Sequence, residues 1–448
     1  MSSAAASLSS PPRTWLDGLL RAFADVRAGE GLTAVLFGSA LFVGLFGYYV
    51  LKTVREPWLL ATGGAELKSY ATGAQAVLLM GILPLYARLA RRVERRRLVL
   101  GTSLAHLFAI ELFSVLAWLR VPYVGLVFYV WLGIFVLTSV AQVWSFANDL
   151  YAPEKGARLF PLVAIGAPLG SALGAALAAR LFSGADAIAS LLHVAAAFVL
   201  AQLVLLAVIA RRPEAARAPS APIDTETSLG LVLASPYLRL VAALFVVLNL
   251  VNTTGEYLLS RAVIADADAV LAAALAHGPV ADPAALRADH IRAVYGDFYF
   301  LVNAGAVLLQ ALVASRLVRV AGLRGALFVL PLVALGAYAA VGVGVGFLAL
   351  RALKIAENAT DYSIQNTARA VLWLPTSRAE KYVGKQTVDT FFVRVGDVLS
   401  ALLVLGFGAA GVLPDRGLAA LNVAFAALAL GLAGAVASRH RALLARAA

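Results

Sequence analysis

The chain has 448 residues, 61% of them hydrophobic and only 14% charged, with a formal net charge of +12 and a mean hydropathy of +0.85. Soluble globular chains carry about 25% charged residues, so this one cannot keep a polar skin around a single core, and a bilayer must solvate the excess. With no cysteine and five scattered histidines (His106, His193, His277, His290, His440), disulfides, thiol nucleophiles and histidine or thiolate metal boxes are excluded.

Residues 1–13 are small and polar. Residues 14–28 form an amphipathic stretch with Trp15, Leu16, Leu19, Leu20, Phe23 and Val26 on one side, expected on a membrane surface. The acids Asp17, Asp25 and Glu30 argue against a transit peptide. Apolar segments follow near 31–51, 67–88, 98–119, 121–147, 158–182 and 188–210, and a second set near 236–258, 294–316, 323–343, 345–371, 386–409 and 413–437. At about 20 residues or more each, they are long enough to cross as helices, whose backbone groups bond internally. The stretch 211–235, with its prolines, serines and acids, reads as a linker between two halves. The stretch 259–293 reads as an outer loop carrying a short helix.

The positive charge lies in the connections. Arg88, Arg91, Arg92, Arg95, Arg96 and Arg97 follow the second segment, and Arg211, Arg212 and Arg217 the sixth. Arg316, Arg319 and Arg324 follow the eighth, Arg378, Lys381 and Lys385 the tenth, and Arg439 and Arg441 the last. With twelve crossings these share one side, which places both termini in the cytoplasm and explains the net charge without nucleic acid. The fourth segment ends in Leu150-Tyr151-Ala152-Pro153 and the tenth in Leu372-Trp373-Leu374-Pro375, each followed by basic residues. Matching ends at corresponding places point to two parallel six-helix repeats, as in major facilitator transporters.

Ionisable groups at membrane depth are costly and normally face a bundle interior or a wet cavity. In the tenth segment Arg351, Lys354, Asn358, Asp361 and Gln365 share one helical face, with Glu357 one position off it. The eleventh carries Asp389, Arg394 and Asp397, then Ser400. The first ends in Tyr48, Lys52 and Arg55, followed by Glu56 and Pro57. The second offers Lys68 and Gln75, the fourth Gln142, Ser145 and Asp149, the seventh Asn249, Thr253 and Glu256, and the eighth Tyr299, Asn303 and Gln310. Glu111 stands alone in the third. Segments one, four, seven and ten are those that line the cavity in a major facilitator arrangement, and they carry much of this charge. Each charged group also has a plainer reading, as an ion pair that fixes helix packing. Gly166, Gly170 and Gly174 in the fifth segment have the small-xxx-small spacing of close helix contact. No phosphate loop, metal box or catalytic triad occurs, so neither a cofactor nor an enzyme activity is expected.

Several stretches resemble the ATP/ADP translocase family of plastids and intracellular bacteria. They are Trp144-Ser145-Phe146-Ala147-Asn148-Asp149, Arg158-Leu159-Phe160-Pro161-Leu162, Glu357-Asn358-Ala359-Thr360-Asp361-Tyr362-Ser363, Asn366-Thr367-Ala368-Arg369 and Asp389-Thr390-Phe391-Phe392-Val393-Arg394. The resemblance extends over nearly all of 31–437. It implies a major facilitator fold and exchange of ATP against ADP or of other nucleotides, with cavity lysines and glutamates serving the phosphates and the coupling. Lys52 matches the family's lysine in the first span. The chain departs elsewhere: 130–146 holds no acid, Asn252 stands where the family has glutamate, with Glu256 one turn later, and Asp397 stands where the nucleotide exchangers have lysine. These departures fit a divergent bacterial branch.

The expected protein is therefore an all-α membrane protein, major-facilitator-like, with about twelve transmembrane helices in two pseudo-symmetric six-helix bundles. Its parts are a cytoplasmic segment 1–30, a bundle 31–210, a linker 211–235, a bundle 236–437 and a tail 438–448. It is expected in the bacterial cytoplasmic (inner) membrane, among lipids and as a monomer, as a secondary transporter of a nucleotide such as ATP or ADP or of another organic anion. Tyr48, Lys52, Arg55, Asn249, Arg351, Lys354 and Asn358 are the candidate substrate contacts. Glu256, Glu357, Asp361, Asp389, Arg394 and Asp397 are the candidates for coupling or gating. The alternatives are a proton-coupled carrier of a different solute and a non-transporting receptor or scaffold of the same fold.

Overall fold

The computed structural model describes residues 14–21, 25–93, 95–151, 153–184, 186–212, 228–377, 379–408 and 415–447, and the regular structure among them is all helical. Residues 1–13, most of the expected linker, Arg378, and the side chains of Ser145, Asn148 and Asp149 lie outside the described residues. Among the described residues, ten stretches are long and apolar enough to cross a membrane. The first of these is two helices, because Gly31–Arg92 breaks at Gly63 and at Gly64, whose φ of 70° only glycine adopts readily. The segment 347–372 also has crossing length, but Arg351, Lys354, Glu357, Asp361 and Arg369 make it too charged to count by apolarity. The fold is thus twelve spans in two bundles of six.

The remaining spans are Arg95–Trp118 (third), Val124–Leu150 (fourth), 153–180 with a joint at Ile165 (fifth) and Ala187–Ala210 (sixth). The seventh is Pro236–His277. The eighth starts at Pro283 and runs through a π-turn, Gln310–Ala314, to Gly322, whose φ of 65° turns the chain into the ninth, ending at Gly342. The tenth is 347–372, the eleventh 380–408 and the twelfth Asp415–Ala447. Helix starts follow local chemistry. The Ser235 hydroxyl accepts from Leu238 N–H and the Asp282 carboxylate from Ala285 N–H, each ahead of a proline at the first helical position.

Each half has its own core. Two apolar clusters consist only of residues before the linker, centred on Phe128, Phe135 and Leu191 and on Phe37, Leu41 and Val163. A third, around Leu238, Phe245 and Leu372, belongs only to the second half. Tyr49, Leu60 and Ala175 join Leu259, Tyr295 and Phe298 in a cluster that crosses between halves. Outside, Phe108, Trp118, Leu200 and Val204 are exposed, an apolar surface fit for lipid. The fifth span presses on the first: a Cβ at Gly166, Gly170 or Gly174 would collide with the backbone carbonyl of Gly38, Phe42 or Phe46, so the small-residue spacing is a packing seam.

Two stretches differ from the sequence reading. At 14–28 the described helix is Trp15–Leu20, and Leu16, Leu20 and Val26 pack into the first half's core instead of lying on a membrane surface, while Trp15 and Leu19 stay exposed. Asp17 is the reason. Its carboxylate completes a capping box with Thr14 and also accepts from Gly29 N–H at 3.1 Å and Gly31 N–H at 2.9 Å, capping the first span from outside. At 259–293 the seventh and eighth helices continue as an antiparallel hairpin closed at 278–282. It is pinned by Arg287–Asp268 at 2.5 Å and His290–Asp266 at 2.7 Å. Alanine, the best helix former, fills this stretch, so it continues as helix where apolarity ends.

Candidate functional site

A cavity of about 240 Å³ lies where the two bundles meet. The first span contributes Tyr48, Lys52 and Arg55, the second Lys68, Ser69 and Thr72, and the fourth Tyr129. Across from them stand Asn249, Asn252, Thr253 and Glu256 of the seventh, Tyr299 of the eighth, Asn358 and Tyr362 of the tenth, and Arg394 and Asp397 of the eleventh. The helical stripes converge as their spacing requires, with one difference: the fourth span supplies an aromatic ring and no described charge.

At the end away from the termini, the halves are joined by a polar network around Glu56. Its carboxylate meets the Arg55 guanidinium, accepts from Tyr299 O–H at 2.8 Å and lies 2.7 Å from Lys68 Nζ. Lys68 in turn donates to Ser260 at 3.0 Å and Tyr295 at 3.2 Å, and lies 3.9 Å from Glu256. Tyr257 O–H donates to Glu66 at 2.8 Å, and Arg180 pairs with Asp297 at 2.8 Å. Arg292, 3% exposed, donates to the carbonyls of Ala178 (2.5 Å) and Phe182 (2.7 Å), answering the free carbonyls at the end of the fifth span. The described hydrogen bonds that bridge the halves cluster at this end.

The other charges are matched locally, Asp397 and Glu256 in the cavity lining and Lys354 and Glu357 outside it. Asp397 accepts from Asn249 (2.7 Å) and Thr253 (2.8 Å) and pairs with Arg394 at 3.0 Å. Lys354, 1% exposed, donates to the Asn252 carbonyl (3.0 Å) and Oδ1 (2.8 Å) and lies 3.1 Å from Glu357, which also accepts from Tyr338 O–H at 2.7 Å. Glu256 accepts from Asn358 at 3.0 Å. Arg55 and Lys68 offset Glu56 and Glu256, Arg394 offsets Asp397, and Lys354 offsets Glu357. Lys52 is left over. Among the described residues its ammonium makes no hydrogen bond or ion pair. It sits against the faces of Tyr299 at 4.2 Å and Tyr49 at 5.1 Å, one ring from each half.

The remaining candidates lie apart from the cavity. Arg351 is 3.9 Å from Asp297, beside the joined end. Asp389 is 4.0 Å from Arg369, nearer the opposite end. Asp361 borders a separate, smaller pocket. Glu111 has a partner after all: His193 Nδ1 at 2.8 Å, on the outer face, with Ser114 Oγ 3.0 Å from the other ring nitrogen. Gln75 donates to the Tyr129 carbonyl at 2.7 Å and serves packing. Sequence reasoning missed Glu56, Tyr295, Ser260 and Tyr338 as network members, and Arg292 altogether. Glu56 offered a signal, a carboxylate one residue after Arg55 and twelve before Lys68; the tyrosines and Ser260 offered none.

No protein-family model and no curated protein sequence matches the chain. Its backbone does match solved structures. A mutant of the nucleoside transporter NupG superposes with a TM-score of 0.63 at 12% identity, covering 91% of this chain and 99% of that one. A POT family transporter in complex with a thioalcohol-conjugated peptide gives 0.63 at 12% identity, over 97% and 99%. A bacterial homologue of the iron transporter ferroportin, in its inward-facing state, gives 0.60 at 16% identity, over 91% and 98%. The fold is major-facilitator-like. These neighbours share an architecture over essentially the whole chain, at identities that speak for the fold alone.

Proposed function

We propose that the protein is a secondary transporter that carries an organic anion through the central cavity by alternating access of its two bundles. The observation that carries this reading is Lys52, a cation at membrane depth among charges that otherwise cancel, held against rings and free to meet a negative group. Solved neighbours with the same fold include a nucleoside transporter and a POT family peptide transporter, which supports transport in general. Arg55 and Asn358 stand behind Lys52 as polar walls, with Tyr48, Tyr129, Tyr299 and Tyr362 giving an aromatic lining suited to an organic body. Lys354, Glu357 and Asp397 hold helices in place. Glu256 links the cavity, through Asn358, to the Lys68 network. With the termini in the cytoplasm, as the arginine pattern predicts, the joined end is the outer one and the arrangement is inward-facing.

One unmatched cation favours a singly charged substrate, such as a carboxylate or sulfonate on an organic body. A nucleotide di- or triphosphate is the candidate that the sequence resemblance raises. It would bring three or more negative charges to a cavity where Asp397 replaces a family lysine. Thermal stability of the purified protein across organic anions and nucleotides tests the choice, since a ligand of the folded state raises the melting temperature. A rise with a monoanion that disappears in Lys52→Gln supports the reading. A rise with ATP or ADP restores nucleotide exchange, and a rise only with neutral or cationic solutes overturns the anion assignment.

A further inference from the structure

A second pocket, of about 40 Å³, lies between the seventh, ninth and tenth spans. That is room for a few water-sized particles. Its polar lining is Asn249, Asn252, Glu357, Asp361, Gln365 and Arg369. Gln365 is 2% exposed, and both its Oε1 and its Nε2 lack a hydrogen-bond partner. A buried amide left unsatisfied costs about 1–3 kcal/mol, so an occupant is called for. Asp361 has no hydrogen bond or ion pair among the described residues. The five residues Asp361–Gln365 form a π-turn, the wide turn that places the two side chains on the pocket and recurs at functional sites.

The charges around the pocket do not cancel. On the tenth span, Glu357 is matched by Lys354, while Arg369, lying over the Phe245 ring at 4.1 Å, is matched by Asp389 of the eleventh. The lining from the seventh span and from Leu330 and Ala334 of the ninth is neutral, and Tyr338 of the ninth is engaged by Glu357. Asp361 remains, a carboxylate at membrane depth with no ion pair of its own: Lys354 and Arg369 act on it only through space, and each is shared with another carboxylate, Glu357 or Asp389, which is unfavourable unless a further positive charge joins it. Among the described residues no set of three histidine, cysteine or carboxylate groups could hold a multivalent metal. One carboxylate and amide oxygens suit a monovalent cation.

We propose that this pocket binds a single positive charge, as a sodium ion held by the Asp361 carboxylate and the Gln365 carbonyl oxygen or as a proton on Asp361 bridged by water to Gln365. The site adjoins the Lys52 cavity, with Asn249 and Asn252 as shared walls, but Lys52 does not line it and the proposal does not depend on the anion reading. The test is the melting temperature of the substrate-free, full-length protein in sodium chloride against choline chloride at equal ionic strength, from about pH 8 to about pH 5.5. Asp361→Asn removes the unmatched charge at constant shape and is expected to fold; Gln365→Leu is the second variant, and Lys52→Gln the control outside the pocket. Sodium binding gives a rise of several degrees over choline in the native protein and in Lys52→Gln, lost in Asp361→Asn and reduced in Gln365→Leu. Proton binding gives a rise on acidification in choline that is absent from Asp361→Asn. A melting temperature indifferent to sodium, with the same pH response in the native protein and Asp361→Asn, overturns the proposal.

Discussion

Lys68 of the second span and Glu256 of the seventh lie 3.9 Å apart, and they tie the two bundles together at the end opposite the termini. Lys68 also holds Glu56, so one ammonium bridges a carboxylate of its own half and one of the other. Removing it leaves Glu56 with Arg55 and Tyr299, and Glu256 with the Asn358 hydrogen bond of its own half. Lys68→Ala is expected to shift the protein toward the state open at this end. Because the chain has no cysteine, Thr253→Cys gives a single reporter in the cavity. Its labelling by a membrane-impermeant thiol reagent added from the outer side should rise several-fold in the Lys68→Ala background. Equal labelling in both backgrounds would remove Lys68 from the closure.

Lys354 is expected to act through stability. It and Glu357 are both buried, and losing one partner of such a pair costs about 3–5 kcal/mol, whereas replacing both with apolar groups of similar size is often neutral. Lys354→Met should therefore lower the melting temperature and yield sharply, and Lys354→Met combined with Glu357→Leu should recover most of the loss. If Lys354→Met melts like the native protein but does not take up substrate, the lysine belongs with the substrate contacts.

The seam between the first and fifth spans gives a purely steric prediction. Gly170→Val places methyl groups against the Phe42 carbonyl, where backbone cannot yield, and should destabilise by at least about 1–3 kcal/mol. Gly81→Val, at an open position, should be tolerated. Melting curves of the two variants in the same detergent make the comparison.

Asp17 lies before the first span and gives a pH prediction. The N–H groups of Thr14, Gly29 and Gly31 hold its carboxyl well below its ordinary value of 3.8, against the opposing effect of burial. A depressed carboxyl pKa contributes stability that is complete above the unfolded value and is lost as pH falls through the folded one. Asp17→Ala should thus lower the melting temperature by a constant amount above about pH 5, and the difference should narrow only under strong acid. A difference that vanishes near neutrality would contradict the capping role.

Much of the fold was legible in the sequence because the bilayer imposes one rule on nearly every span, a run of about 20 apolar residues. The charged faces of the tenth and eleventh spans were legible from the helical spacing of groups that are costly at membrane depth. Helix spacing also allows the i, i+3 pairs Lys354–Glu357 and Arg394–Asp397. The partners on other helices were not legible: nothing in the order of residues says that Lys354 turns to Asn252, or that Lys68 reaches Tyr295 across the halves. Arg292 was hidden by the reading of 259–293 as a loop, since an arginine in a loop carries no expectation of burial. Glu111 and His193 are 82 positions apart on different spans, a proximity that only packing creates.

The rings that flank Lys52 come from different bundles, Tyr49 from the first span and Tyr299 from the eighth. A rocking motion that parts the bundles at this end must draw Tyr299 away from the ammonium. It must also break the Tyr299 hydrogen bond to Glu56. The same lysine is then flanked by rings of both bundles in one conformation and by Tyr49 of its own bundle in the other. For the anion proposed above that difference would mean unequal affinity, and unequal affinity is what lets a bound solute shift the population from one conformation to the other.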